Sequence, residues 1–151
     1  LLQLRARVRK IHRLGKGGRL SGRVDAGYTY AEDLQKLPAS LRFFAGGDNS
    51  VRGYEYESLG PTDQNGEVTG GRHLLTLSGE YEHPVVGEDW WAAGFIDAGN
   101  AFETDDIELK VGYGLGVRWF SPIGGVRLDL AFPVDDSKDD WRIHFALGTD
   151  L

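Results

Sequence analysis

Apolar and polar residues alternate along seven separate stretches of the chain. These stretches are residues 2–12, 19–30, 72–83, 89–101, 109–120, 125–133 and 141–151. Alternation with a period of two predicts β-strands, because successive side chains of a strand point to opposite faces of the sheet. Strands of this length are long for a globular sheet, and they match the roughly 9–11 residues that a tilted membrane strand requires.

The fourth stretch, residues 89–101, alternates poorly, and Asp97 sets its register. A carboxylate avoids lipid, so Asp97 should face inward, which leaves Trp90 and Ile96 facing outward. The pattern is clearest in residues 109–120, where leucine, valine and aromatic residues alternate with glycine and basic residues. Across the seven stretches, one face is therefore predicted to meet hydrocarbon and the other to line a watery interior.

The connections between these strands are alternately short and long. The short ones are residues 13–18, 84–88 and 121–124, and the long ones are residues 31–71, 102–108 and 134–140. Outer-membrane barrels place brief turns at one rim and longer loops at the other. We therefore predict an all-β fold, an antiparallel meander of about seven strands that forms part of a transmembrane β-barrel.

An odd number of antiparallel strands cannot close into a barrel by itself. Both edge strands would then carry unpaired backbone groups, each of which costs several kcal/mol in lipid. An isolated segment of this length is expected to self-associate through its strand edges. The chain begins at Leu1 and contains no methionine, and we interpret it as a segment of a longer polypeptide.

Composition narrows the chemistry that the chain can perform. Cysteine is absent, which excludes disulfides, thiolate metal sites and thiol catalysis. The net charge of -6 argues against a nucleic-acid groove. The four histidines lack metal-ligand spacing. We interpret the acidic residues 105–106 and 135–140 as solvated loop tips rather than cation sites, and Glu80 and Glu82 as part of a polar lumen rather than a glycosidase pair. We predict no enzymatic activity, no metal and no cofactor.

The connection 31–71 is too long for a simple spacer. It contains the sequence RFFAGGDNSVRGY at residues 42–54, in which aromatic residues and glycines surround a single cation, Arg52. A solvated loop tip would be polar throughout, so we predict that this segment folds back into the barrel lumen. The candidate loop motif comprises Gly46, Gly47, Val51, Gly53 and Tyr54.

The stretch RFFAGGDNSVRGYEYESLGP at residues 42–61 resembles the loop-six motif of the bacterial outer-membrane assembly pores. That superfamily includes BamA, TamA and the two-partner-secretion transporters, and the stretch, together with the end of the chain, is most similar to TamA. The resemblance implies a sixteen-stranded barrel in the bacterial outer membrane. Residues 1–151 would be its C-terminal segment, with loop 31–71 folded inward.

The same resemblance assigns roles to three charged residues. Asp97 lies in FIDAG at residues 95–99, and Glu80 lies in SGEYEHP at residues 78–84, both similar to motifs of the family's inner wall. The resemblance implies that Arg52 clamps the loop to Glu80 and Asp97. Arginine suits this role because it is always charged and can bind two carboxylates at once.

The last stretch is the second candidate site. It resembles the terminal signal of outer-membrane proteins, although the usual terminal aromatic residue is replaced by Leu151. The candidate residues are Trp141, Ile143, Phe145, Leu147 and Leu151. As an edge strand, this stretch could exchange pairing with an incoming strand.

The resemblance implies an outer-membrane protein assembly or insertion factor. Its partners would be outer-membrane lipid, client outer-membrane proteins and a TamB-like inner-membrane protein, with no nucleic acid. Two alternatives remain open from the sequence. One is a two-partner-secretion pore that exports a partner polypeptide, and the other is a soluble lipid-binding β-barrel with an apolar interior.

Overall fold

The computed structural model describes residues 1–104, 106–134 and 141–148. These residues form seven strands, numbered in chain order: β1 (Leu2–Arg13), β2 (Arg19–Tyr30), β3 (His73–Val86), β4 (Trp90–Phe102), β5 (Lys110–Ser121), β6 (Gly124–Pro133) and β7 (Arg142–Gly148). The prediction of an all-β meander is confirmed, and the strand ends agree with the alternating stretches to within a few residues. Of the described residues, only Ala39–Leu41 form a helical turn, and no helix is long and apolar enough to cross a membrane.

The seven strands form one sheet in the order β1-β2-β3-β4-β5-β6-β7, and each pairs antiparallel with its neighbours. The β5–β6 connection is a tight turn in which Ser121 pairs with Gly124. The chain segments that join β2 to β3, β4 to β5 and β6 to β7 are longer in sequence, and these strand ends lie at the opposite rim. Within the described residues, β1 and β7 each pair with one strand only, so they are the two edges of the sheet.

The two faces of the sheet differ sharply in polarity. The outer face carries exposed apolar side chains, among them Leu4, Val8, Val24, Leu77, Ile96, Leu115, Leu128 and Ile143. The inner face carries buried polar side chains, among them Asp25, Thr29, Thr76, Glu82, Asp97, Arg118, Asp129 and His144. This orientation is inconsistent with a soluble lipid-binding barrel, because such a barrel would direct its leucine and valine residues inward.

Aromatic pairs lie near both ends of the outer face. The rings of Trp90 and Trp119 stack with centroids 5.6 Å apart at the end that carries the short turns. At the end that carries the long loops, Tyr113 and Phe132 stack with centroids 5.7 Å apart. Two rows of aromatic residues that flank an apolar band are typical of strands that cross a membrane.

Residues 31–72, which we call the long loop, lie against the inner face of the sheet. Isolated bridges pair Phe43 with Gly71, Ala45 with Leu59, and Thr62 with Val68. The buried apolar cluster draws on both the loop and the wall, and it comprises Phe43, Ala45, Val51, Tyr54, Leu59, Leu74 and Ala101. The loop therefore packs into the interior of the curved sheet through its own small core, as the apolar residues of its sequence require.

The orientation of the sheet can be tested with Leu115→Lys. Leu115 is 70% exposed at the middle of β5, and a lysine on the lipid face at mid-depth costs about 2–4 kcal/mol. We expect a lower midpoint for urea unfolding of the full-length protein in lipid vesicles. Ile123→Lys is the matched control, because Ile123 lies in the β5–β6 turn and should tolerate the charge. Equal midpoints for the two variants would mean that this face does not contact hydrocarbon.

Candidate functional site

Three glycines shape the part of the long loop that approaches the wall. Gly46, Gly47 and Gly53 have φ angles of 102°, 100° and 97°, a region that side-chain-bearing residues rarely adopt. The amide of Gly47 donates to the carbonyl oxygens of Val51 and Tyr54 at 3.2 and 3.1 Å. The chain is thus folded into a compact turn, and Arg52 projects from this turn toward the inner face.

Arg52 makes its most extensive contact with Asp97 on β4. The side-chain Nε donates to Asp97 Oδ2 at 2.7 Å and Nη2 donates to Oδ1 at 3.0 Å, so the pair is bidentate. The backbone amide of Arg52 also donates to Asp97 Oδ2 at 3.1 Å. Ser78 on β3 supports the carboxylate by donating from Oγ to Oδ1 at 2.6 Å. Bidentate charge-assisted geometry is among the strongest arrangements for an ion pair.

Two further carboxylates meet the same guanidinium group. Arg52 Nη1 donates to Glu80 Oε2 on β3 at 2.6 Å and to Asp129 Oδ2 on β6 at 2.9 Å. The guanidinium carbon lies 3.5 Å from the centroid of the Phe95 ring, a cation–π contact. We call Arg52, Glu80, Asp97 and Asp129 the Arg52 cluster. It joins the long loop to three strands at one point.

Arg52 stays fully charged in this environment. The side chain is 3% exposed, and burial by itself would lower its pKa. The hydrogen bond and charge of Asp97, together with the charges of Glu80 and Asp129, outweigh the burial and raise the pKa above its ordinary value. The cluster is consequently held by a permanent cation across the physiological pH range.

A second arginine, Arg118 on β5, extends the cluster. Arg118 donates through Nη1 to Asp129 Oδ1 at 2.5 Å and through Nε to Glu82 Oε1 at 3.1 Å. Its Nη2 lies 3.0 Å from Glu80 Oε2, and Arg19 pairs with the other oxygen of Glu82. The ion pairs within the described residues link Arg19, Arg52, Arg118 and Arg127 with Glu80, Glu82, Asp97 and Asp129. This network is electrically neutral, which is the condition for burying so many charges.

The wall opposite the loop tip has space for the backbone of the loop to come close. A Cβ atom placed on Gly112 of β5 would lie 1.8 Å from the carbonyl oxygen of Arg52. Only glycine at this position allows the loop to approach so closely. Next to it, the hydroxyl of Tyr54 donates to the carbonyl oxygen of Val111 at 3.2 Å. The side chain of Val51 is fully buried between loop and wall.

The loop also contacts the last described strand through His144. The amide of Gly53 donates to His144 Nε2 at 3.0 Å, so this nitrogen must be unprotonated. The other ring nitrogen, Nδ1, contacts the Asp48 carboxylate at the loop tip. His144 thus bonds both ends of the turn that presents Arg52, and β7 is attached to the loop by this one inward side chain and by an ion pair between Arg142 and Glu55 at 3.7 Å.

The structure brings Arg52, Glu80 and Asp97 together, and it places the five loop-motif residues in or beside the same contact. Sequence reasoning missed Asp129, Arg118 and His144 as members of the site. The sequence offered one signal for these residues: each falls at an alternating position of its strand that is predicted to face inward. Several other polar residues share this property, so it did not single these three out.

The candidate residues of the last strand do not take part in the Arg52 cluster. Trp141, Ile143, Phe145 and Leu147 are exposed on the outer face, away from the Arg52 cluster. Leu151 lies outside the described residues. Among residues 1–104, 106–134 and 141–148, no group of histidine and acidic side chains could hold a metal ion.

Comparison with known proteins finds relatives among membrane assembly proteins. The chain is 32% identical over 149 residues to the outer membrane protein assembly factor BamA of Nitratidesulfovibrio vulgaris, a match that covers 91% of this chain and 19% of the relative. It is 35% identical over 120 residues to the chloroplastic outer envelope protein 80 of Arabidopsis thaliana, covering 70% of this chain and 14% of the relative. BamA of Neisseria meningitidis is 29% identical over 168 residues, covering 86% and 21%. The chain thus spans about a fifth or less of the length of these relatives.

The fold itself matches a solved structure. BamA from Haemophilus ducreyi lacking POTRA domains 1-3 superposes with a TM-score of 0.76 at 20% sequence identity, and the match covers 95% of this chain and 33% of that structure's chain. The seven-stranded meander therefore corresponds to part of the BamA barrel. The Omp85 superfamily domain matches the sequence over residues 1–151. On this evidence the chain belongs to the Omp85 superfamily.

Proposed function

We propose that this chain is the C-terminal part of a sixteen-stranded barrel that assembles proteins into the bacterial outer membrane. The relatives from Nitratidesulfovibrio and Neisseria are named as outer membrane protein assembly factors, and the apolar outer face with its aromatic ends suits a bilayer. The observation that carries the proposal is the Arg52 cluster. A single loop cation meets carboxylates from β3, β4 and β6 inside the wall.

The cluster acts as a clamp that makes one part of the wall rigid. Because Glu80, Asp97 and Asp129 stand on different strands, their shared cation fixes the spacing from β3 to β6. β7 provides none of these three carboxylates. Within the described residues, it pairs with Gly125–Ala131 of β6. Its other edge is unpaired within the described residues. In a sixteen-stranded barrel this last strand would meet the first strand of the barrel, and this seam is the place where a client strand would add by backbone pairing.

No covalent chemistry is needed for this activity. Adding a strand exchanges one set of backbone hydrogen bonds for another, and moving an unpaired strand into a sheet removes the cost of its unsatisfied groups in lipid. The factor is accordingly not an enzyme, and insertion of client proteins into vesicles should proceed without nucleotide.

Within this class, the loop sequence at residues 42–61 supports a TamA-like module. Such a module would act with a TamB-like inner-membrane partner. In-cell crosslinking of the full-length protein, followed by mass spectrometry of the products, tests the assignment. Recovery of an inner-membrane partner supports a TamA-like role, whereas crosslinks to outer-membrane proteins alone would favour a BamA-like role.

Arg52→Ala in the full-length protein tests the clamp. The change leaves Asp97 buried without its counter-ion and removes one of the cations that pair with Glu80 and Asp129, and breaking a buried ion pair typically costs about 3–5 kcal/mol. We expect an intact barrel whose long loop is cut rapidly by protease added on the loop side, with slower assembly of a reporter outer-membrane protein. Both are measured on the same vesicle preparation.

Arg52→Lys provides the accompanying control. Lysine keeps the positive charge but cannot bind Asp97 in bidentate fashion while reaching Glu80 and Asp129. Intermediate protection of the loop is expected for this variant. If Arg52→Ala retains both loop protection and assembly rate, the clamp has no role in function.

Gly112→Ala tests the clamp from the side of the wall. The added methyl group would overlap the carbonyl oxygen of Arg52 and push the loop tip away without removing any charge. We expect faster proteolysis of the long loop, similar to that of Arg52→Ala. Gly79→Ala is the matched control, since its methyl group would face outward, 3.9 Å from Ile96. Identical cleavage of the two glycine variants would show that the loop does not rest on β5.

A further inference from the structure

A cavity of about 360 Å³ lies between the loop tip and the inner face of the sheet. Four guanidinium groups line it, those of Arg9, Arg23, Arg52 and Arg127, and the lining contains one carboxylate, Glu80. Glu80 already accepts a hydrogen bond from Arg52 and lies 3.0 Å from Arg118. Arg52 and Arg127 are balanced within the neutral network beside the cavity, so the excess positive charge of the lining comes from Arg23.

Two of these arginines have buried nitrogen atoms that remain unused. Among the described residues, Arg23 Nε and Arg127 Nε are buried and make no hydrogen bond. Arg127 Nε lies 3.5 Å from Asp129 Oδ2, which already accepts a hydrogen bond from Arg52. A buried donor that makes no hydrogen bond is unfavourable, and more so when it belongs to a charged group. Two such donors facing one cavity indicate a missing acceptor.

The bonds that these two arginines do make fix them in place. Arg23 Nη2 donates to the carbonyl oxygen of Ser50 at 3.1 Å, and Arg127 Nη2 donates to that of Asp48 at 3.2 Å. Both acceptors belong to the tip of the long loop. A carbonyl oxygen bonds a guanidinium group but does not neutralise it, so the two side chains are positioned while their charges remain uncompensated by these contacts.

We propose that this cavity is an oxyanion site, in which Arg23 and Arg127 bind a carboxylate or phosphate group. A planar guanidinium group is suited to pairs of oxygen atoms. Ser21 and Asn49 also line the cavity and can donate to the remaining oxygens. The volume admits such a group together with several waters, since each water occupies about 30 Å³. Because both arginines also hold the loop tip, anion binding would stabilise the loop on the wall.

The oxyanion has two sources, a free anion or a carboxylate of the full-length protein outside the described residues. Thermal unfolding of the full-length protein in detergent distinguishes them. Inorganic phosphate replaces chloride at constant ionic strength, and the variants are Arg23→Gln and Arg127→Gln. The matched control is Arg72→Gln, which also removes one charge and one bond to a backbone carbonyl, that of Ala31 at 2.8 Å, but lies outside the cavity.

For a free anion, phosphate should raise the midpoint of the wild type and of Arg72→Gln in a saturable manner. The apparent affinity should fall at least tenfold in Arg23→Gln and Arg127→Gln. For an internal carboxylate, phosphate should have no effect, and Arg23→Gln should lower the midpoint more than Arg72→Gln, because it leaves that carboxylate unpaired.

A change of the unfolding midpoint in the opposite direction would overturn the proposal. In an empty cavity, replacing Arg23, which forms no ion pair among the described residues, removes repulsion between arginines, so the midpoint should equal or exceed that of Arg72→Gln. If this occurs and phosphate has no effect, the cavity binds no oxyanion. Arg127→Gln also loses a contact with Asp129, so it is read only for its affinity for phosphate. The readout does not involve protein assembly, so its result is independent of the function proposed above.

Discussion

The interior of this molecule depends on the neutralisation of one guanidinium group inside a polar wall. Arg52 sits on a loop without regular secondary structure, and it meets one carboxylate from each of β3, β4 and β6. Charge buried without a partner is strongly unfavourable, whereas charge that is paired and hydrogen-bonded can be accommodated. The position of the loop and the spacing of the strands consequently follow from the same contact.

The two faces of the sheet meet opposite requirements. Large apolar residues face outward, where they suit hydrocarbon and need no partner from the chain. The inner face carries charges, and it carries glycine where the loop backbone must come close, as at Gly112. The loop provides what the wall lacks, namely a small apolar core and a permanent cation. Neither the loop nor the wall would be stable alone, because each buries charged groups whose partners lie on the other.

Much of the fold was readable from the sequence because a period of two fixes which residues share a face. A single carboxylate, Asp97, sufficed to set the register of the poorly alternating β4. The resemblance of the loop supplied Arg52 and two of its partners. The third carboxylate, Asp129, could not be singled out. The alternation of residues along a strand shows which face a side chain lies on, but not its position along the barrel axis. That position depends on the register between neighbouring strands, which places His144 of β7 opposite Asp129 of β6.

The sequence separations within the Arg52 cluster have a consequence for biosynthesis. Arg52 lies 28 residues from Glu80, 45 from Asp97 and 77 from Asp129, and Gly53 lies 91 residues from His144. Contacts between such distant residues form late, because loop closure must be paid before they contribute. During synthesis, the loop is made long before the strands that hold it. Its docking therefore reports that β3 to β7 have been made and correctly paired, so the contact that stiffens the wall also depends on the assembly of these strands.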